Sequence, residues 1–311
     1  MAAIEISDLR MSYRTRRGPV RALDGLDLVV PDGGVFGFLG ANGAGKTTTI
    51  RALLGLLPGV TGRMRMLEAD VPTALDRVID RVGALVEAPS FFPNFTGRRN
   101  LQLLADARGF PRDRVDEMLA TVSLTARAET RFATYSLGMK QRLGVAAALL
   151  KDPQLLILDE PANGLDPGGI LEMRTLLRRL GAEGRTVFVS SHILSEVQQL
   201  CDRVAVVHHG RCIASGTVHE LLQGGQSRYR VRVPGKENDA AAAAAVLGQA
   251  GFAVERDGGA HLIVDVDGDN ASRVTKALAD AAIYVAELTP VERTLEDAFL
   301  ELTRPEAQAH A

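Results

Sequence analysis

The strongest chemical signal in the sequence lies in the loop from Gly40 to Thr47. It reads GANGAGKT and fits the pattern G-x-x-x-x-G-K-[ST], directly after an apolar run and before a helical pattern. Glycines allow successive backbone N–H groups to turn toward an anion, and the helix N-terminus adds its positive end. The Lys46 ammonium can then reach the β and γ phosphates of a nucleotide, and the Thr47 hydroxyl can bind Mg²⁺. The alternative, a glycine turn beside a solvated lysine, leaves the flanking strand and helix patterns unexplained.

Two carboxylates end a second apolar run. LLILDEP, from 155 to 161, predicts a buried strand that ends at Asp159 and Glu160. Asp159 is placed to hold Mg²⁺, directly or through water, and Glu160 is placed to polarise an attacking water as a general base. The alternative is a pair of acids that cap a helix from a loop.

These residues require a sheet that holds them at one edge, and the surrounding pattern supplies one. Short apolar runs alternate with helical patterns, which predicts an α/β core with a largely parallel sheet. The stretch from about 96 to 134 is helical without strong strands and predicts a helical insertion. The predicted strands are 26 to 30, 35 to 40, 82 to 87, 155 to 159, 186 to 191 and 203 to 210, and the predicted helices are 46 to 56, 137 to 150, 170 to 180 and 193 to 201.

The last quarter of the chain has a different pattern. GGQS at 224 to 227 predicts a linker. After it the order is strand RYRVRV, helix ENDAAAAAAVLGQ, strands FAVER and HLIVDV, helix SRVTKALADA, strand IYVAEL and helix LEDAFLELT. This βαββαβ order with a final helix is typical of small ferredoxin-like α+β domains.

Composition restricts the class of protein. A net charge of -2 offers no electrostatic basis for a nucleic-acid partner. Cys201 and Cys212 lack metal-ligand spacing and are too few for a disulfide framework, so we expect a reducing cytosol. The start MAAIEISDLR lacks a signal segment, and no apolar run reaches membrane-spanning length.

The order of these motifs resembles that of the ATP-binding cassettes of ABC transporters. Between the two motifs above lies YSLGMKQ (135 to 141), and after them come NGLDP (163 to 167) and SSH (190 to 192). The match covers roughly residues 4 to 222. It implies a P-loop NTPase cassette at 1–224 with a helical subdomain at about 96–150, followed by an accessory domain at 225–311.

The resemblance also implies roles for individual residues. In that family the signature motif contacts the γ phosphate of ATP held by the other subunit, so each chain carries half of two sites. Glu160 and His192 are then catalytic, and Thr47 and Asp159 hold Mg²⁺. Ser136, Gly138 and Gln141 belong to the signature, and Asp166 to the D-loop that links the two sites. The implied nucleotide contacts are Tyr13, Gly40, Asn42, Gly43, Ala44, Gly45, Lys46, Thr47 and Thr48.

Simpler interpretations of these positions stay open. Ser136 can be an ordinary helix start, His192 a cap at a strand end, Asp166 a turn residue before a proline and Tyr13 a packed edge-strand tyrosine. The signature also departs from the usual LSGGQ, because Leu137 stands where a glycine is common.

The clearest departure is Glu87. The family commonly has a glutamine here, which coordinates Mg²⁺ and relays to the membrane subunit. Glu87 could approach Mg²⁺ or be a solvated carboxylate at a strand exit. With SFFPNFTG after it, the segment resembles the bacitracin-resistance type of exporter cassette. The nearby aromatic residues can form a docking surface for the partner or pack in the helical insertion; they are Phe91, Phe92 and Phe95.

These features predict an ATP-binding and ATP-hydrolysing subunit that uses ATP and Mg²⁺. We expect a homodimer or a heterodimer with a paralogue, bound to a separate membrane permease on the cytoplasmic face of the membrane. TLEDAFLELT (294 to 303) resembles the tail of daunorubicin-resistance cassettes, which indicates export of a drug, an antibiotic or a lipid. The alternative is a soluble ABC ATPase in translation or DNA repair. A regulatory module without turnover is disfavoured by the intact pair of Asp159 and Glu160.

Overall fold

The computed structural model describes residues 1–16, 18–87, 90–223, 227–235, 237–266, 270–291 and 294–303. The chain divides into two compact units, Met1–Val218 and His219–Arg304. The predicted linker and the domain boundary near 224 fall largely on residues 224–226, outside the described residues, and the boundary stays a prediction. Within the described ranges, no helix combines the length and the apolar character that crossing a membrane requires.

The first unit contains three sets of elements: a mixed sheet, an antiparallel sheet, and the helices that surround them. In chain order they are β1 (Ala2–Thr15), β2 (Gly18–Pro31), β3 (Gly34–Leu39), α1 (Lys46–Leu53), β4 (Thr61–Met66), β5 (Ala69–Val71), β6 (Val82–Leu85), α2 (Gly97–Arg108), α3 (Asp113–Thr121), α4 (Leu137–Leu149), β7 (Leu155–Asp159), α5 (Pro167–Ala182), β8 (Thr186–Ser191), α6 (Leu194–Leu200), β9 (Arg203–His208) and β10 (Arg211–Thr217).

The central sheet has six strands in the order β10-β9-β3-β8-β7-β6. All neighbouring pairs from β9 to β6 are parallel, and only β10 runs antiparallel to β9. All residues of β7 and β8 are buried, as expected for strands covered on both faces. The prediction of a largely parallel α/β core is confirmed.

A second sheet of the first unit was not predicted as a sheet. It is antiparallel, in the order β2-β1-β4-β5, and of its strands the sequence pattern predicted only residues 26 to 30 within β2. The β1–β2 pairing shifts register at several points, one of them between Ile6 and Leu9, and Asp8 there has φ 48. Such bulges break the strict alternation of apolar and polar residues on which a strand prediction depends.

The helical insertion is held together by caps and one buried amide. Thr96 caps α2 by accepting from the Arg99 N–H. The Asn100 side chain is buried; its Oδ1 accepts from the Phe92 N–H at 2.8 Å, and its amide donates to the carbonyls of Phe92 and Thr96. These bonds fix the segment that enters the insertion from β6.

The aromatic residues of this segment divide into two groups. Phe91 packs edge-on against Phe132, with ring centroids 5.2 Å apart. Phe92 and Phe95 contact each other and are exposed, at 61% and 40% of their surface. Phe91 therefore packs in the insertion, whereas Phe92 and Phe95 form an exposed apolar pair.

The second unit is an α+β layer with its own core. Its elements are α7 (Val218–Gln223, which begins at the division), β11 (Ser227–Arg232), α8 (Glu237–Gln249), β12 (Ala253–Arg256), β13 (His261–Val266), α9 (Ala271–Asp280), β14 (Glu287–Val291) and α10 (Leu295–Thr303). The sheet order is β12-β13-β11-β14, with every pair antiparallel. This is the predicted split βαββαβ order.

One strand of this unit is displaced from its prediction. IYVAEL, at 283 to 288, predicted the last strand, but β14 begins at Glu287 and continues to Val291. Pairing decides these bounds, because Glu287 lies opposite Arg232 and Val291 opposite Arg228 on β11. Pro290 is tolerated in β14 because the strand lies at the edge of the sheet.

The turn after β9 braces the phosphate loop. Gly210 has φ 74; its N–H donates to the Ala44 carbonyl at 2.9 Å, and its carbonyl accepts from the Asp24 N–H at 3.0 Å. A Cβ atom at this position would lie 2.6 Å from the Ala22 carbonyl oxygen. The turn therefore needs a residue without a side chain.

We expect Gly210→Ala to destabilise the protein more than Gly109→Ala. Gly109 has a similar φ of 72 but open space around its Cβ position, so it reports backbone strain alone. Gly109→Ala should cost about 1 kcal/mol of unfolding free energy. Gly210→Ala should cost at least about 2 kcal/mol more because of the steric contact. Urea denaturation measures both; equal losses would contradict the bracing contact.

Candidate nucleotide site

The site lies where three parallel strands end. Leu39 at the end of β3 pairs with Ser191 on β8, and Asp159 at the end of β7 pairs with Ser190. Because the strands are parallel and adjacent, their carboxyl ends share one edge of the sheet. Ligands of α/β sheets bind at such edges.

The phosphate loop leads from β3 into α1. Gly45 precedes the helix with φ 111, and Lys46 opens it. The Lys46 ammonium is buried; it donates to the Gly40 carbonyl at 2.7 Å and the Ala41 carbonyl at 3.3 Å, and it lies 3.2 Å from Glu160 Oε1. The sequence predicts that the Lys46 ammonium binds phosphate. In this structure it is instead paired with two carbonyls of its own loop and with the Glu160 carboxylate.

The residues at the predicted metal position suit Mg²⁺. Thr47 Oγ1 donates to Asp159 Oδ2 at 2.8 Å, so a hydroxyl and a carboxylate oxygen converge at the start of α1. Mg²⁺ prefers oxygen ligands and usually takes one or two from protein, with phosphates and water as the rest. The described residues contain no cluster of three or more His, Cys, Asp or Glu side chains that would hold a metal without such help.

Glu160, the predicted general base, contacts two other side chains. Its Oε2 lies 2.8 Å from His192 Nδ1, and its Oε1 faces Lys46. Glu160 has φ 49, a left-handed conformation that is rare outside glycine and that clusters at functional sites. The turn at the end of β7 therefore aims this carboxylate at His192 and Lys46.

A serine beside the two carboxylates binds both residues. Ser190 Oγ donates to Asp159 Oδ1 at 2.5 Å and accepts from the Glu160 N–H at 2.9 Å. The sequence showed SSH as a motif but predicted a role only for His192. The strand register, which the sequence does not show, places Ser190 opposite Asp159.

A cleft of about 470 Å³ extends from these groups toward the antiparallel sheet. Tyr13 lies at its far end, with its hydroxyl 3.4 Å from Thr48 Oγ1 and its backbone paired with Val20. The cleft brings together Tyr13, Asn42, Gly43, Gly45, Lys46, Thr47, Thr48, Glu160 and His192 of the predicted residues, and adds Val20, Arg21, Ala22 and Asn163. Sequence inspection missed Val20 to Ala22, because their place depends on the β1–β2 pairing.

The predicted signature residues do not line this cleft. Ser136 caps α4 by accepting from the Met139 N–H at 3.3 Å, so the helix-start interpretation holds in the single chain. A Cβ atom at Gly138 would make ordinary van der Waals contacts, with Leu165 at 3.8 Å and Gly169 at 3.9 Å. Leu137 beside it is 46% exposed. The start of α4 is therefore exposed at Ser136 and Leu137 and partly exposed at Gly138.

Gln141 differs from the other two signature residues. It is buried on α4, and its Oε1 has no hydrogen-bond partner among the described residues. Burial argues against the predicted contact between Gln141 and a nucleotide. The helical period explains this, since Gln141 lies on the face of α4 that Gly144, Val145 and Ala148 also bury.

Two further predicted positions have specific partners. Asp166 caps α5 by accepting from the Gly169 N–H at 3.2 Å, which agrees with the turn interpretation. Glu87 has φ 66, does not line the cleft and forms an ion pair with Arg51 in the last turn of α1. Glu87 therefore has a counter-ion on α1, four residues after Thr47.

One acidic group next to the site has a shifted pKa. Burial raises the pKa of the Glu196 carboxyl, the charge of His192 lowers it, and the charge of Glu160 raises it. Glu196 lies on α6, one turn after His192, and lines a small apolar cavity behind Ser190.

Comparisons with known proteins identify this arrangement. A profile of the family described as ABC transporter matches residues 23–163. The bacitracin transport ATP-binding protein BcrA of Bacillus licheniformis is 37% identical over 305 residues, covering 96% of this chain and 96% of that protein. The daunorubicin/doxorubicin resistance ATP-binding protein DrrA of Streptomyces peucetius is 35% identical over 309 residues, covering 97% and 92%.

The solved structure of cbiO1 from Clostridium perfringens, part of the ABC transporter complex cbiONQ, has the same cassette fold. Its TM-score is 0.64 at 27% identity, and the match covers 72% of this chain and 91% of that chain. The predicted cassette fold is thereby confirmed. With relatives matched over nearly their whole length, the chain belongs to the ABC transporter family as an ATP-binding subunit, and this family hydrolyses ATP.

Proposed function

We propose that this chain powers export of an antibiotic, a drug or a lipid through a separate membrane permease. The observation that carries the ATPase part is the convergence of Lys46, Glu160 and His192, with the pair of Thr47 and Asp159, at one sheet edge. The export part is supported by the relatives, which transport bacitracin or confer daunorubicin resistance. Nearly full-length similarity to transport proteins does not favour a soluble factor in translation or DNA repair.

The geometry supports an order of events at the site. ATP phosphates enter the loop Gly40–Thr47, and Lys46 exchanges its loop carbonyls and Glu160 for phosphate oxygens. Glu160, released from the ammonium, keeps His192 as its partner and accepts a proton from the attacking water. When bound at Thr47 and Asp159, Mg²⁺ would neutralise phosphate charge. Tyr13 offers a ring face for the adenine base.

The open helix start supports a dimer of cassettes. Ser136 and Gly138 lie outside the chain's own cleft, so they can act only on a nucleotide that a second cassette holds. We propose a nucleotide-sandwich dimer, either of two copies or of this chain and a paralogue, in which Asp166 lies between the two sites. The buried Gln141 positions α4 in this proposal and makes no contact with nucleotide.

The exposed pair of Phe92 and Phe95 is the proposed contact for the permease. It lies just after Glu87, on the segment that the Asn100 hydrogen bonds fix. In this proposal the cassette is peripheral on the cytoplasmic face of the membrane. Glu87 acts through its ion pair with Arg51.

We expect Glu160→Gln to keep ATP binding and to lower kcat at least about a hundredfold, because it removes the base and leaves the phosphate loop intact. Lys46→Ala should weaken ATP binding by about tenfold or more, because it removes a charged donor. ATP binding and ATPase assays measure both. Glu5→Gln, at an exposed ion pair with Arg65, is the control and should change neither. Near-normal turnover in Glu160→Gln would remove Glu160 from the base role.

The proposed dimer predicts that Gly138→Asp impairs assembly and leaves ATP binding by the monomer nearly unchanged. In a Glu160→Gln background Mg·ATP should accumulate dimer, since hydrolysis no longer opens it. Adding Gly138→Asp should abolish that dimer and leave ATP affinity of the monomer within about threefold, because like charges repel at the γ phosphate. Gly109→Asp, at the end of α2 and with open space around its Cβ position, is the control. Sedimentation with and without Mg·ATP tests this; a dimer that survives Gly138→Asp contradicts the role of the signature.

The second unit is proposed to stabilise the dimer or to regulate turnover. Residues 228 to 311 contain no phosphate-loop pattern. Deleting residues 225–311 should leave monomer ATP affinity within about threefold and change dimerisation or permease-coupled ATPase. Loss of ATP binding by the truncated, folded protein would mean that this region reaches the nucleotide.

A further inference from the structure

Ser190 contacts both carboxylate residues of the site through one buried hydroxyl. Its Oγ donates to Asp159 Oδ1 at 2.5 Å and accepts the Glu160 N–H at 2.9 Å, and the residue has 0% exposure. A hydroxyl can donate one hydrogen bond and accept others at the same time. Alanine and valine offer neither, so this double contact depends on the residue type.

The bond to Asp159 fixes the direction of that carboxylate. With Oδ1 held by Ser190, the other oxygen, Oδ2, faces Thr47 Oγ1 at 2.8 Å. Each carboxylate oxygen thus has a separate donor. Without Ser190 the group could rotate and leave Oδ1 unpaired in a buried position, which is costly.

The bond to the Glu160 N–H fixes the turn at the end of β7. Glu160 has φ 49, and a non-glycine residue keeps such a conformation only where its surroundings hold it. This conformation places Oε2 2.8 Å from His192 Nδ1 and Oε1 3.2 Å from Lys46 Nζ. Ser190 therefore supports both the direction of Asp159 and the conformation that aims Glu160.

We infer that Ser190 is a positioning residue of ATP hydrolysis, which orients the metal-binding carboxylate and the general base together. The inference rests on the proposed roles of Asp159 and Glu160. Residues behind metal ligands typically change metal affinity or activity by about 10- to 100-fold when they are removed.

The neighbouring serine supplies a matched control. Ser191 is also buried, at 7% exposure, and its Oγ accepts one backbone bond, from the Ile193 N–H at 3.0 Å. Since successive strand residues point to opposite faces, Ser191 differs from Ser190 in direction more than in burial. Comparing the two alanine variants separates positioning from the general cost of losing a buried hydroxyl.

The test has two readouts. Binding of Mn²⁺ with ATP, followed by electron paramagnetic resonance in a Glu160→Gln background, reports the metal site without turnover. Ser190→Ala should weaken Mn²⁺ binding about tenfold or more, and in the parent background it should lower kcat about tenfold or more with KM for ATP within about threefold. Ser191→Ala should change Mn²⁺ binding by less than about twofold.

Conservative variants keep the test decisive if Ser190→Ala folds poorly. Ser190→Thr keeps the hydroxyl and should retain both readouts within about threefold, while Ser190→Cys has only a weak donor and should lose most of both. The inference is overturned if Ser190→Cys equals the parent, or if Ser191→Ala loses as much Mn²⁺ binding as Ser190→Ala. A parent protein that does not bind Mn·ATP, with Lys46→Ala no weaker, would instead overturn the proposed function.

Discussion

The parallel register of β3, β8 and β7 is the constraint on which the site depends. It brings the end of the phosphate strand, the two serines of β8 and the carboxylates at and after the end of β7 to one edge of the sheet. Successive side chains of a strand point to opposite faces, so a slip of one residue would place Ser191 instead of Ser190 opposite Asp159. The fully buried strands resist such a slip, because it would turn apolar side chains away from their packing partners.

At this edge of the sheet, the buried ammonium of Lys46 contacts the polar and charged groups around it. Lys46 is only 6% exposed, and a buried ammonium requires close partners. Two loop carbonyls and Glu160 provide them in the chain described here. These partners are the groups that phosphate oxygens would replace. In the proposed mechanism, phosphate oxygens that replace these partners would release Glu160 toward water.

The nucleotide cleft and the start of α4, the two surfaces with proposed functions, are separate on the chain. The cleft combines part of the phosphate loop, Glu160 and the β1–β2 hairpin, whereas Ser136 and Gly138 open α4 outside that cleft. Ser136 already satisfies a backbone N–H of its own helix, which keeps the helix start ordered before any partner binds. In the proposed dimer, this separation would make catalysis depend on assembly.

The sequence by itself determined the features whose signals are local. The loop Gly40–Thr47, the strands β7 and β8 and the helices α8 and α10 follow from residue types within a few positions, and the structure shows them with the predicted bounds. Tertiary structure alone decided the antiparallel sheet, whose bulges hide its alternation, and the bounds of β14, which pairing with β11 sets. It also decided the partners of Ser190, the burial of Gln141 and the ion pair of Glu87 with Arg51. Each of these features depends on contacts between residues that are far apart in the sequence. The residue pattern of one strand or helix does not show which other element packs against it.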